Sequence, residues 1–133
     1  MINNFSKINI YEEPKTKSKL SSQILYGEKF KIIYKKNNWL KIKTSYDNYV
    51  GYIKNKKFST KSNPTLKVNS LKSEIFKKID DKFRKTNQFL YFASRVSKLR
   101  ENNKFLEFEK NKWIKKKDLR KINHIEKNYS KIF

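Results

Sequence analysis

Two stretches of this chain share one order of apolar, turn and aromatic positions, and this internal repeat constrains the fold more than any other feature. The first copy is marked in order by Ile10-Tyr11, Gly27, Trp39-Leu40-Lys41-Ile42 and Gly51-Tyr52-Ile53. The second copy is marked by Ile75-Phe76, Ala93, Phe105-Leu106-Glu107-Phe108 and Lys112-Trp113-Ile114. The step to the turn residue is 16 residues in one copy and 17 in the other, and the next step is 12 in both. The repeat therefore predicts two small domains of one architecture.

The repeat also divides the chain. We predict a first domain over residues 8–58, a second over residues 66–119, and a connector over residues 120–133. The joint between the domains, residues 59–65, is polar and contains Pro64, as is typical of a boundary. Apolar residues of the connector recur at steps of three to four, which is compatible either with an amphipathic helix on the second domain or with a lead-in to a further domain.

Within each copy, apolar residues alternate with polar ones, which is the period of a β-strand. The clearest runs are Phe30, Ile32 and Tyr34; Leu40, Ile42 and Thr44; and Leu106 and Phe108. Turn residues separate them at Glu13-Pro14, Gly27-Glu28, Asn37-Asn38, Tyr46-Asp47-Asn48, Asn102-Asn103 and Lys110-Asn111. Short strands at this spacing predict an all-β fold of small antiparallel barrels or sandwiches.

Composition excludes several kinds of chemistry. The chain has no cysteine, so it contains no disulfide, no thiolate zinc site and no cysteine nucleophile. Its one histidine, His124, lies among charged residues near the end and is expected to be solvated. The sequence therefore predicts no catalytic residue, no metal site and no cofactor in this chain.

The net charge of +22 has two interpretations. It comes from 30 lysines and only four arginines, and lysine abounds here together with other residues that A/T-rich codons encode. A solvated lysine surface from codon bias explains this ratio, because arginine is the better residue for phosphate and base contacts. An anionic partner is the alternative, to which the Lys115-Lys116-Lys117 run would contribute.

No run of 18 apolar residues is present, so we predict no membrane span. The N-terminus lacks the apolar stretch of a secretory signal. The chain as written is expected in the cytoplasm, and a location in the cell envelope would require an upstream segment.

The first copy resembles a bacterial SH3-like (SH3b) domain of the kind found at the N-terminus of NlpC/p60-type cell-wall cysteine peptidases. The resemblance covers residues 11–53 and rests on YxxP, SQxLYGE, the W-L-K-I strand and YDNYVGYI. The second copy resembles a second SH3b domain through LYFAS, FLEFE and KWIKKKDL, but it has an alanine where the family has its turn glycine. The terminal IEKNYSKIF resembles the connector into the peptidase domain. The expected fold is thus two SH3-like barrels in tandem with a short C-terminal helical or extended tail.

The resemblance implies a role in substrate binding. The family's peptidase domain cuts the γ-D-glutamyl–diamino-acid bond of peptidoglycan stem peptides, and its first SH3b domain helps to hold the free amine of the peptide through an acid and a tyrosine. The positions here that match are Glu28, with Asp47 or Tyr49, and Tyr46 lies in the same hairpin. Because this chain has no cysteine, it resembles the non-catalytic part of such an enzyme.

Structural interpretations of these residues stand beside the functional ones. Glu28 could simply flank its turn, and Tyr46 and Tyr49 could pack their hairpin. Trp39, Tyr52 and Trp113 are expected in or beside the barrel cores rather than at a ligand.

Two functions remain open at this point. The first is a module that binds or orients peptidoglycan stem peptide for an NlpC/p60 catalytic domain. The second is a small β-barrel that binds nucleic acid or another polyanion, with exposed aromatic rings for stacking and lysines for the backbone. Salt dependence separates them, because polyanion binding releases counterions.

Overall fold

The computed structural model describes residues 1–59 and 63–122, and the regular secondary structure of these residues is β-strand apart from one short 3-10 turn. The all-β class predicted from the alternating apolar residues is confirmed. Two compact units are present, and their described residues are 1–59 and 63–122. No part of the described chain forms a helix long and apolar enough to cross a lipid bilayer. Most of the predicted tail, residues 123–133, lies outside the described residues.

The first unit is one antiparallel sheet of five strands. The strands are β1 (Lys7–Tyr11), β2 (Leu20–Leu25), β3 (Phe30–Lys36), β4 (Trp39–Thr44) and β5 (Val50–Lys54). Their order in the sheet is β2-β1-β5-β4-β3. Asn37 and Asn48 adopt left-handed backbone conformations (φ 55° and 57°) in the turns on either side of β4, a conformation that asparagine tolerates.

One face of this sheet forms the core. The buried side chains that pack together are Ile8, Ile10, Ile24, Phe30, Leu40, Ile42, Ile53 and Phe58. All of them except Phe58, which follows β5, come from alternate positions of the strands, because successive side chains of a strand point to opposite faces. The alternation fails after Phe30: the register with β4 shifts between Ile32 and Tyr34, and both of these side chains are exposed.

The N-terminal segment before β1 packs into the first unit, although it lies outside the repeat. Ile2 is buried and forms bridges to Lys29 on one side and Ser59 on the other. Asn3 is fully buried; its side-chain amide donates to the carbonyl oxygens of Phe5 (3.0 Å) and Ile24 (3.1 Å). These bonds satisfy the buried amide, which would destabilise the folded state if it had no hydrogen-bond partner.

The second unit contains two sheets. The strands are β6 (Leu66–Val68), β7 (Lys72–Ile79), β8 (Lys82–Tyr91), β9 (Arg95–Val96), β10 (Arg100–Glu101), β11 (Phe105–Glu109), β12 (Lys112–Lys115) and β13 (Leu119–Lys121). The larger sheet has the order β10-β11-β12-β7-β8 and the smaller the order β13-β6-β9. A single 3-10 turn, Lys116–Asp118, precedes β13.

The long β7–β8 hairpin sets this unit apart. Its turn residues Asp80 and Asp81 are both left-handed (φ 49° and 63°), and the strands pair from Lys72↔Tyr91 out to Ile79↔Lys82. The first unit has the loop 12–19 in place of the outer part of this hairpin. The hairpin is thus the main architectural difference between the two units.

Candidate functional site

The acid highlighted by the sequence, Glu28, closes the turn that follows β2. Gly27 is left-handed there (φ 82°), a conformation that glycine adopts without steric cost. The Glu28 N–H donates to the Leu25 carbonyl oxygen (3.1 Å), and its Oε1 accepts the Leu25 N–H (2.7 Å). The carboxylate is therefore held in place by the backbone of its own turn.

The N-terminal segment braces this turn from the other side. Asn3 N–H donates to the Glu28 carbonyl oxygen (2.9 Å), and Gly27 N–H donates to the Asn3 carbonyl oxygen (2.7 Å). Nothing in the sequence pattern identified Asn3, because a polar residue outside the alternating strands is expected at the surface. Its backbone bonds hold the turn that carries Glu28.

Glu28 faces an open depression beside the edge strand β2. The volume of the depression is about 590 Å³, and its lining includes Leu20, Ser21, Ser22, Gln23, Leu25 and Glu28. Glu28 is the charged group among the described lining residues. Serine and glutamine side chains offer hydrogen-bond donors and acceptors beside it. The arrangement suits a small polar ligand with a positive group.

Asp47 and Tyr49 lie in the turn between β4 and β5, which hydrogen bonds organise around Thr44. Thr44 Oγ1 donates to Asp47 and accepts the Tyr49 N–H (2.9 Å), while Thr44 N–H donates to the Tyr49 carbonyl oxygen (2.8 Å). Asp47 is exposed, and Tyr46 and Tyr49 are half-buried. Tyr49 packs against the core of the unit, which supports the packing interpretation for part of its ring.

The structure brings these two turns to the same end of the first unit. Thr44 pairs with Phe30 at the start of β3, and Ser45 N–H donates to the Lys29 carbonyl oxygen (3.0 Å). Glu28 and Asp47 therefore lie on neighbouring turns that are tied together through the backbone. The four side chains selected from the sequence thus belong to one region, and Glu28 is the one that lines the depression.

The second unit repeats the turn but not the acid. Ala93 takes the place of Gly27 and is left-handed (φ 75°), so the missing glycine leaves the turn geometry intact. Ser94 takes the place of Glu28: it is fully buried, its N–H donates to the Tyr91 carbonyl oxygen (2.9 Å), and its Oγ accepts the Tyr91 N–H (3.2 Å). Val68 exchanges the same two backbone bonds with this turn as Asn3 does in the first unit.

Three further aromatic residues, Trp39, Tyr52 and Trp113, were expected in or beside the cores rather than at a ligand. Trp113 is buried (3% exposed), as expected for a barrel residue, while Trp39 and Tyr52 are half-buried on the face of the first sheet opposite to its core.

A second depression, of about 320 Å³, lies in the second unit and is lined by Lys72, Lys85, Lys115 and Lys117. Two acids, Glu74 and Asp118, lie among these lysines.

Comparison with known proteins agrees with the predicted resemblance. Residues 10–58 match the family model of the bacterial dipeptidyl-peptidase SH3 domain. No curated protein matches the sequence. Among solved structures, the chain is similar to an NlpC/P60 family protein from Bacillus cereus ATCC 10987, with a TM-score of 0.73 and 13% sequence identity.

That likeness covers 92% of this chain but only 56% of the Bacillus protein, so the chain spans little more than half the length of its structural neighbour. At 13% sequence identity, this structural likeness establishes a shared fold. The resemblance predicted from residues 11–53 is confirmed by the family model, which covers nearly the same residues. The first unit is therefore similar to the SH3 domain of bacterial dipeptidyl-peptidases, and the fold of the chain is that found in part of an NlpC/P60 family protein.

Proposed function

We propose that this chain is the non-catalytic, substrate-binding part of an NlpC/p60-like peptidase and that its first unit holds the free amine of a peptidoglycan stem peptide. The observation that supports this most is the placement of Glu28. Its carboxylate is fixed by the Leu25 N–H, lines an open depression, and lies on a turn tied to the one that carries Asp47 and Tyr49.

The chemistry follows from the groups on these two turns. A carboxylate pairs with an ammonium group through charge-assisted hydrogen bonds, which are stronger than neutral ones. Holding the carboxylate by a backbone bond reduces the entropy that binding would otherwise cost. Asp47 supplies a second negative charge nearby, and the phenols of Tyr46 and Tyr49 can donate or accept hydrogen bonds from the peptide.

The other parts of the chain have supporting roles in this proposal. The second unit, over residues 66–119, is a second SH3b domain whose turn has lost the acid and therefore does not hold the amine. Residues 120–133 lead towards the catalytic domain. Because the chain has no cysteine, the nucleophile that cuts the stem peptide belongs to that partner domain.

Calorimetric titration of the full chain with L-Ala-γ-D-Glu-diamino-acid peptide tests the proposal. We expect Glu28→Gln to raise Kd by roughly 10-fold or more, since a hydrogen bond to a charged group contributes about 1.5–3 kcal/mol. Glutamine keeps an oxygen that accepts the Leu25 N–H, so the turn is retained. Glu74→Gln, a similar change in the second unit, serves as the matched control and should leave Kd unchanged.

Acetylating the peptide amine removes the positive charge and should abolish the difference between wild type and Glu28→Gln. Equal affinity for the free and acetylated peptides would overturn the proposal.

Binding of a single-stranded oligonucleotide in place of the peptide would favour a polyanion-binding function. That binding would weaken steeply between two salt concentrations, whereas capture of one amine responds far less.

A further inference from the structure

One edge of the first sheet is the strand β2, which lies beside the depression that contains Glu28. In the part of the chain that the structure describes, β2 pairs with β1 on one side and with no strand on the other. The depression is lined by residues of β2 itself and by Glu28. A free edge presents backbone N–H and C=O groups that can pair with another extended chain. The direction in which these groups point decides what the edge can bind.

The hydrogen bonds of Leu25 show which backbone groups of β2 point outward. Leu25 lies opposite Lys7 of β1. Its N–H nevertheless donates to Glu28 Oε1 (2.7 Å), and its carbonyl oxygen accepts the Glu28 N–H (3.1 Å). Both backbone groups of Leu25 therefore point away from β1. Because hydrogen-bonded and non-hydrogen-bonded pairs alternate along an antiparallel ladder, the same holds two residues earlier, where Gln23 lies opposite Asn9.

Gln23 thus directs one backbone donor and one backbone acceptor to the free edge. It is exposed and lines the depression. Its side chain is engaged elsewhere, because Nε2 donates to Asn9 Oδ1 (3.1 Å). A residue of an added antiparallel strand exchanges two hydrogen bonds with a position of this kind. The backbone of Gln23 is therefore prepared to pair with one residue of an extended peptide.

The Glu28 carboxylate takes the place of the residue that would lie opposite Leu25 on such an added strand. That residue would accept the Leu25 N–H through its carbonyl oxygen, and Glu28 Oε1 accepts this bond instead. An antiparallel chain that begins here has its amino group next to the carboxylate. Its second residue then lies opposite Gln23, two residues or roughly 7 Å along the edge from Leu25.

The second unit has a similar edge without the acid. Tyr91 of the edge strand β8 lies opposite Lys72, and its N–H donates to Ser94 Oγ (3.2 Å). Ser94 is fully buried and carries no charge. The edge is therefore a property of the shared backbone plan, whereas the means of holding an amino group beside it belongs to the first unit.

We propose that β2 binds the stem peptide by antiparallel strand addition, with the second residue of the peptide opposite Gln23. This inference rests on the proposed function of Glu28, which holds the ammonium group of L-Ala. The amide N–H of D-Glu donates to the Gln23 carbonyl oxygen, and the α-carboxylate of D-Glu accepts the Gln23 N–H. The peptide then leaves the edge through the D-Glu side chain, because its next bond is formed by the γ-carboxyl group.

Charge and spacing favour a peptide over other extended ligands at this edge. Glu28 is the charged group among the described lining residues, and its negative charge repels a phosphate backbone. A neutral sugar strand would leave the carboxylate without a counter-charge. Glu28 and Gln23 together match a chain that carries an ammonium group and, at its next residue, a donor and an acceptor on the same side.

An ester analogue of the peptide tests the pairing without any change to the protein. Replacing the D-Glu N–H of L-Ala-γ-D-Glu-diamino-acid peptide by oxygen removes the donor to Gln23 and keeps the ammonium group. In calorimetric titration of the full chain, we expect the ester to have a Kd roughly 3-fold to 10-fold higher than the amide. Equal affinity for ester and amide, with Glu28→Gln still weakening both, would overturn strand addition and leave the proposed function intact. Failure of the wild type to bind the amide peptide would overturn both.

Proline substitutions test the direction of the Gln23 N–H. Gln23→Pro removes this donor and should raise Kd for the amide peptide by roughly 3-fold or more. An edge strand tolerates proline where the N–H faces solvent, so the melting temperature should stay close to that of the wild type. Ser22→Pro should lower the melting temperature markedly, because the Ser22 N–H points towards Ile10 in the ladder. Equal destabilisation by the two prolines would show that the Gln23 N–H belongs to the ladder and would overturn the proposal.

Gln23→Ala is the matched control for the side chain. It keeps the backbone N–H and C=O and removes the bond to Asn9, as proline also does. We expect Gln23→Ala to leave Kd unchanged. A loss of affinity equal to that of Gln23→Pro would place the contact on the glutamine side chain and contradict binding by the backbone.

Discussion

The two units place different side chains on one backbone plan. The turn after the second strand has the same hydrogen bonds in both, but it carries Glu28 in the first unit and the buried Ser94 in the second. The sheet face opposite to the core carries the half-buried Trp39 and Tyr52 in the first unit, whereas in the second unit Phe83 packs over the equivalent Phe105 and Trp113. Positions that contribute to packing in the second unit are therefore left partly exposed in the first.

The ion pair between the exposed Arg100 and the buried Glu107 shows the same contrast between the two units. Glu107 occupies the position of Lys41 and is only 4% exposed. Arg100 holds it with two hydrogen bonds (2.8 and 3.1 Å), and the Asn111 N–H donates a third (2.9 Å). The Arg100 guanidinium also lies 5.4 Å from the centroid of the Trp113 ring. Charge here stabilises a covered surface, whereas Lys41 lies on an open one.

Truncating the buried ring of Trp113 should give the largest change in the free energy of unfolding. Trp113→Ala should lower the free energy of unfolding of the second unit by about 3–5 kcal/mol, because it leaves a cavity under Phe83 and Arg100. Tyr52→Ala, the equivalent change in the first unit, should cost distinctly less because that ring is only half-buried. Native-state amide exchange at Ile114 and Ile53 reports the two units separately. Equal losses would contradict the contrast between covered and open faces.

The next largest change in stability should come from Gly51, where β5 lies very close to β1. A Cβ on Gly51 would lie 2.3 Å from Cγ2 of the fully buried Ile10 and 3.2 Å from the Tyr11 carbonyl oxygen. Gly51→Ala should therefore destabilise the first unit by about 1–3 kcal/mol, as overpacking does. Lys112→Ala at the equivalent position of the second unit is the control, since that site already accommodates a side chain. Urea unfolding followed by Trp39 fluorescence measures the loss.

Acid should act on the second unit through Glu107. The hydrogen bond from Arg100 lowers the pKa of Glu107 despite its burial. A carboxyl group with a lowered folded-state pKa contributes stability above its unfolded pKa, about 4.3, and that contribution disappears as pH falls through the folded value. The unfolding free energy of the second unit should thus decrease as the pH falls below about 5.

Each unit contains one of the two tryptophans, so Trp39→Phe leaves Trp113 as the reporter of the second unit. In that background Glu107→Gln should flatten the pH dependence without removing it, because Lys116 and Lys98 also lower the pKa of Glu101. An unchanged slope in Glu107→Gln would show that the ion pair is not the acid-sensitive element.

Exchanging glycine and alanine at the equivalent turn positions Gly27 and Ala93 should give the smallest changes in stability, and these should be of opposite sign. Ala93 is strained at φ 75°, whereas Gly27 adopts φ 82° freely. Ala93→Gly should stabilise the second unit by up to about 1 kcal/mol, since the left-handed conformation costs alanine about 1–2 kcal/mol and glycine gains some unfolded-state entropy. Gly27→Ala should destabilise the first unit by a similar amount. Thermal unfolding of both variants checks the pair, and changes of the same sign would contradict a shared turn geometry.

Local patterns predicted the strands and the turn region well. Alternation located the strands around Phe30, Leu40 and Leu106, and the repeat spacing identified Ala93 as the counterpart of Gly27. Glu28 and Asp47 are positions that the resemblance to the SH3b family implies, and the pairing of β3 with β4 brings their turns together.

The features that the sequence did not predict depend on distant contacts. Alternation places Glu107 at solvent, but its side chain is buried and accepts three hydrogen bonds from Arg100 and Asn111. The cover supplied by Phe83 depends on a hairpin longer than its counterpart, which changes no local periodicity. The role of Asn3 requires the turn that it braces, 24 residues further along the chain. Such residues are set by tertiary contacts that override local preference.

The central claim is that the first unit, and not the second, holds the amine of a stem peptide. An NMR titration of the full chain with L-Ala-γ-D-Glu-diamino-acid peptide tests it most directly. We expect chemical-shift changes centred on Glu28 and on the turn from Thr44 to Tyr49, saturating together, with none at Ser94 and none when the amine is acetylated. Shifts of equal size at Ser94, or shifts at Glu28 that persist with the acetylated peptide, would contradict it.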